Sequence, residues 1–126
     1  MSNWSHVAAI FRIDSMRFNP IDFTDVFGRE FDFYDFLESQ EDIEKSPDKF
    51  LPFGSEGSLQ MSVWENPNRS CIAAYTVSIF GDLRDHESIE EILKWFDEKC
   101  KLVNIRQAVI TVHNEYHGVH TKTYER

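Results

Sequence analysis

The side chains best suited to chemistry fall close together near the end of the sequence, as His113, Glu115, His117 and His120. Imidazole is the commonest protein ligand for transition metals, so a zinc-type centre is the first chemistry to weigh. The spacing H-x3-H-x2-H would gather three imidazoles on one helix face. However, Thr111, Val112, Gly118, Val119 and Thr121 favour strand and turn, which scatter them. No metal is expected, with His113, His117 and His120 kept only as weak candidates. An enzymatic alternative is a small hydrolase or isomerase working from a sheet-edge pocket through His113, Glu115 or His117.

Other chemical patterns are poorly matched. The aspartates of residues 22–35 lack a D-x-[DN]-x-[DN]-G calcium loop and its closing bidentate Glu. Gly54-Ser55-Glu56-Gly57-Ser58 has no phosphate-binding lysine and places an acid where a phosphate would sit. There is no G-x-S-x-G elbow. Cys71 and Cys100 have no C-x-x-C spacing and are expected to be free thiols in the core. No catalytic residue and no cofactor is therefore assigned.

Charge is the more informative signal. The chain carries a formal −9, and residues 22–48 hold ten acids against Arg29 and Lys45, a local −8. Such a balance repels a phosphate backbone, so direct nucleic-acid binding is not expected. The leading expectation is a non-catalytic interaction, accessory or regulatory domain. Its acidic surface is drawn from Asp25, Glu30, Asp32, Asp35 and Glu38, facing a protein partner for which a basic surface is the natural complement. Tyr34, Trp64 and Trp95 are candidate interface aromatics. Within binding, a second possibility is nucleic-acid mimicry, in which the carboxylates imitate phosphates and block a basic DNA- or RNA-binding protein.

The elements that would position these residues follow from periodicity. Residues 7–13 alternate Val7, Ala9, Phe11 and Ile13 with Ala8, Ile10 and Arg12, and both sets are largely apolar, the mark of a central strand. Phe23, Phe27 and Phe31 fall at i, i+4 and i+8, which predicts helix, in one piece or two, over an acidic aromatic-rich crossover at about 20–48. Phe36 and Leu37 join those three as its inward anchors. Apolar side chains in residues 50–58 pin a loop to the core. Leu59, Met61 and Val63, then Ala73, Tyr75, Val77 and Ile79, alternate with polar residues around the turn at Glu65-Asn66-Pro67-Asn68 and predict a hairpin. Ser88-x-x-Glu91 reads as a capping box opening a helix with Ile89, Ile92, Leu93, Phe96 and Cys100 on one stripe. A strand over 105–114 follows, then 117–126 as a tail or an edge strand.

Strand, helical region, strand, strand, helix, strand predicts a single α+β domain over residues 1–126. The specific expectation is a ferredoxin-like split βαβ sandwich, an antiparallel sheet with helices on one face and an elaborated first crossover. The other sheet face, bearing Thr76, Ser78, Val109 and Thr111, is expected to self-associate as a homodimer. No apolar run is long enough to span a bilayer and no leader pattern is visible at the N-terminus, so no membrane partner and a cytoplasmic location are expected.

Overall fold

A computed structural model describes residues 2–19, 21–33, 49–67, 70–85, 89–102 and 104–126. Its centre is a five-stranded sheet built from β1 (Trp4–Met16), β2 (Gln60–Glu65), β3 (Ile72–Arg84), β4 (Ile105–Asn114) and β5 (Gly118–Glu125), in the order β2-β3-β1-β4-β5. Every adjacent pair is antiparallel. β1 is the middle strand, as expected, although only one of its faces is buried, and its register with β4 shifts between Arg12 and Ile13.

Strand alternation divides this sheet into unlike faces. On β1, Val7, Ala9, Phe11 and Ile13 are buried, while the intervening His6, Ala8, Ile10 and Arg12 are exposed. On the buried side, α2 (Ile89–Cys100) lays Ile92, Phe96 and Cys100 onto the strands. Phe11 is the hub, with ring centroids 5.4 Å from Phe96, 4.9 Å from Phe27 and 6.0 Å from Trp95. Phe11, Ile79, Ile92, Phe96 and Ile110 are all essentially solvent-free, and burial of such side chains stabilises by roughly 1.5–3 kcal/mol each. Ser88 and its capping box lie outside the described residues.

The ferredoxin-like sandwich does not form, and the broader α+β description is replaced by a sheet-dominated one. Among the described residues the helices are only α1 (Phe23–Phe27), of five residues, and the 12-residue α2. The predicted crossover helix is cut short at Gly28. Asp22 caps α1 by accepting from the Asp25 amide at 3.2 Å, but Gly28 then takes φ 108° and turns the chain out of helix. A Cβ at Gly28 would lie 2.8 Å from the Leu51 nitrogen, so only glycine lets the two backbones approach. Beyond it the chain is extended: Arg29 donates to the Lys49 carbonyl at 2.8 Å and accepts from Leu51 at 2.9 Å. Phe27 and Phe31 are buried and Phe23 leans on Tyr75 with rings 5.0 Å apart, whereas Phe36 and Leu37 lie outside the described residues. The i, i+4, i+8 phenylalanines therefore span one helical turn and an extended segment.

One smaller expectation also changes. Cys71 is exposed rather than in the core, and only Cys100 is buried. Trp95 lies off the main helical stripe yet packs against the core cluster. The C-terminal residues form a paired edge strand, with the tight turn led by Asn114. Its side chain donates to Ser5 Oγ at 3.0 Å and accepts from the amides of Tyr116 and His117.

Candidate functional site

No element among the described residues runs across the second face of the sheet, and that face holds a groove. Register fixes its composition row by row. Asp82, His6 and His113 stand side by side on β3, β1 and β4; Gln60, Phe80, Ala8, Thr111 and Thr121 form the next row. Ser62, Ser78, Ile10, Val109 and Thr123 come third, then Trp64, Thr76, Arg12, Gln107 and Glu125. Large apolar side chains are left in water here: Phe80 at 48%, Ile10 at 47% and Val109 at 36% exposure, with Trp64 and Val119 farther out.

The groove, of about 580 Å³, opens at one end of this face. Its floor is Ala8, Phe80 and Thr111 from the sheet, and its rim is Glu30 and Phe33 from the extended segment after α1. That rim is held by packing: Phe33 meets Phe31 edge-on at 4.7 Å, and Phe31 stacks on Phe53 at 4.3 Å. Ser58 Oγ accepts from the Phe31 amide at 3.0 Å, and Gln60 Nε2 donates to Glu30 Oε1 at 3.2 Å. Gly57, at φ 80°, brings the loop onto β3, where any Cβ would collide with the Asp82 carbonyl oxygen.

At the groove's end, His6 Nδ1 lies 2.6 Å from Asp82 Oδ1, and the His6 ring meets His113 edge-on with centroids 5.9 Å apart. A carboxylate only accepts, so Nδ1 donates and Nε2 is the ring's remaining nitrogen. Such a contact fixes the imidazole's orientation, as the carboxylate of an acid–base triad does. The groove offers it little to activate: Ser58 is buried and engaged with Phe31 and Leu59, and Thr111 Oγ1 is 3.4 Å from Thr121 Oγ1. Both side chains of the His6–Asp82 pair are well exposed, which limits its electrostatic strength. Among the described residues neither Lys nor Arg lines the groove, and the fixed charges there are the carboxylates of Glu30 and Asp82.

The residues singled out by sequence are dispersed. His113 is on the open face beside His6, His117 sits in the β4–β5 turn, and His120 falls on the opposite parity of β5, its Nε2 3.2 Å from the His117 carbonyl. Glu115 lies in the same turn, its amide donating to the Trp4 carbonyl at 3.1 Å. No group of three or more His, Cys, Asp or Glu among the described residues is arranged to hold a metal ion. Asp25 stands on α1, whose Phe27 packs on the covered face, while Glu30 lines the groove on the other; Asp32 is exposed between Phe31 and Phe33. Asp35, Glu38 and Tyr34 lie outside the described residues. Trp64 is on the open face and Trp95 on the covered one. His6 and Asp82 are not among the sequence candidates.

Among the described residues, no helix is long and apolar enough to cross a membrane. No family model, no curated protein and no solved structure matches this chain.

Proposed function

We propose that this chain is a non-catalytic protein-interaction domain that self-associates through the open face of its sheet. The observation carrying this is the contiguous patch of Phe80, Ile10 and Val109 left in water at the middle of that face. Around it stand Ser62, Ser78, Thr76, Thr111 and Thr123, side chains short enough for a second sheet to approach to about 10 Å. Size also fits. Strands of 13, 6, 13, 10 and 8 residues cover a plan area of roughly 790 Å², taking about 3.3 Å per residue and about 4.8 Å between strands. A stable pair of proteins buries about 800 Å² per partner.

Two copies at −9 repel one another, but much of that charge belongs to residues 22–48 and not to the strands that form this face. Screening confines the repulsion to about 8 Å at physiological ionic strength, leaving apolar burial to act at contact. The test is Ile10→Arg, which sets a charge at the centre of the patch while leaving the covered core untouched. By light scattering the variant is expected to remain a monomer at concentrations where the wild type is a dimer. Equal masses for the two would remove the open face from the interface.

A further inference from the structure

The open face carries a separation of charge that selects how two copies would meet. Arg12 projects from β1, half-exposed, in a loose ion pair with Asp14 at 3.8 Å, beyond hydrogen-bond length. The other nearby guanidinium, that of Arg106, already holds Asp14 at 2.7 Å. Toward the opposite end of the face the groove offers Glu30 and Asp82, the rings of Phe33 and Phe80, and, among the described residues, no lysine or arginine. A cation on one side of Ile10 thus faces an acidic, aromatic groove on the other, within one chain and too far apart to meet.

Resting on the self-association proposed above, we infer that the partner of this groove is Arg12 of a second copy. Ile10 lies midway along β1, the middle strand of the sheet, so a two-fold axis across the strands at Ile10 packs it on its own copy. That operator reverses the strand direction and exchanges positions equally far from Ile10. Arg12, two residues and about 7 Å along the strand, comes to lie over Ala8 of the other copy, on the groove floor. From there the guanidinium can stack on Phe80 and reach Asp82 and Glu30, contacts suited to its planar, forked donors. The same operator sets Trp64 over Gln60, beside the groove rim. A two-fold axis running along the strands would instead press Arg12 onto Arg12, a like-charge contact. The site is therefore completed twice in a symmetric dimer, each copy supplying one arginine and one groove.

The test is a complementary charge exchange. Arg12→Glu brings an acid to the acidic groove, and Asp82→Arg brings a base to meet Arg12, so each variant alone should self-associate on the order of tenfold or more weakly than the wild type. Mixed in equal amounts, the two restore opposite charges at both sites. At one site the acid introduced by Arg12→Glu meets the base introduced by Asp82→Arg; at the other, the native Arg12 and Asp82 meet as in the wild type. Native mass spectrometry should then show the heterodimer in excess of either homodimer, since the substitutions make the masses distinct. Unfolding midpoints equal to the wild type's, compared at a concentration low enough that all three are monomers, confirm that both exposed substitutions leave the fold intact. If the wild type dimerises and Ile10→Arg abolishes this, but the variants associate like wild type or their mixture gains no heterodimer, the Arg12 assignment is overturned while self-association stands. A wild type that remains monomeric overturns both.

Discussion

The two faces of the sheet are made by the same strands in alternate residues, yet one is finished and the other is not. On β1 the covered set, Val7, Ala9, Phe11 and Ile13, is at most 3% exposed; one residue along, Ile10 is 47% exposed. The first face is closed by Phe96 and Ile92 of α2 and by Phe27, with aromatic rings meeting around Phe11. The second has equally large apolar residues in Phe80 and Ile10 but no covering element among the described residues. Hydrophobicity alone therefore does not make a core here. What differs is whether an amphipathic element of the same chain packs on top, and the residues left over are those available to a partner.

That contrast breaks most visibly under truncation. Phe96→Ala should cost about 3–5 kcal/mol, because it opens a cavity in a filled core. Ile10→Ala should cost less than about 1 kcal/mol when measured on the monomer by denaturant unfolding. Similar costs at both sites would mean that the open face is covered within the chain.

Glycines sharpen the comparison at the next level. Gly28→Ala combines φ 108° with a clash against the Phe50–Leu51 backbone on the packed side, and should cost roughly 1–3 kcal/mol. Gly118→Ala, at φ 76° in the hairpin turn with nothing within 4 Å, should cost about 1 kcal/mol from conformation alone. Thermal unfolding of the pair reads the difference, and a smaller loss at Gly28 would refute the close-approach explanation for the end of α1.

The cysteines give an effect that is seen only at alkaline pH. Burial first, then the carboxylate of Asp97, push the Cys100 thiol up from its ordinary 9.0 to about 11, partly offset by Lys122. The neutral thiol is the form the fold favours, so between pH 9.0 and about 11 the folded chain holds a proton that the unfolded chain releases. Cys100 therefore supports stability below pH 9.0 and loses that contribution as pH rises toward 11. Cys100→Ala should flatten the decline in stability with pH across this window, read as the difference from wild type. At pH 8 a thiol reagent should label exposed Cys71 rapidly and Cys100 only on unfolding. Two equally fast thiols would place Cys100 outside the core.

Much of the strand framework is legible in the sequence because period-two alternation survives any tertiary context that leaves one face buried. The α2 stripe is legible for the same reason at period 3.6. The crossover misleads because Phe23, Phe27 and Phe31 satisfy helical spacing, while the decisive event, Gly28 admitting the backbone of Phe50 and Leu51, is a contact across more than twenty residues. The groove is hidden for a related reason. His6 and Asp82 are 76 residues apart and meet only through the β1–β3 register. One signal is present: His6 shares the parity of Ala8, Ile10 and Arg12, and Asp82 shares that of Ser78 and Phe80, so both belong to the outward set of strands that flank each other. Trp64 reads in sequence as the tip of the hairpin, whereas the pairing of β2 extends through it to Glu65.

Sedimentation equilibrium of the wild-type chain from about 1 to about 100 μM tests the central claim most directly, because an interface between identical faces must answer to concentration. The expected result is a mass rising from 14.9 kDa toward twice that value, with the rise absent in Ile10→Arg. A constant 14.9 kDa throughout that range would contradict the proposal that the open face is completed by a second copy.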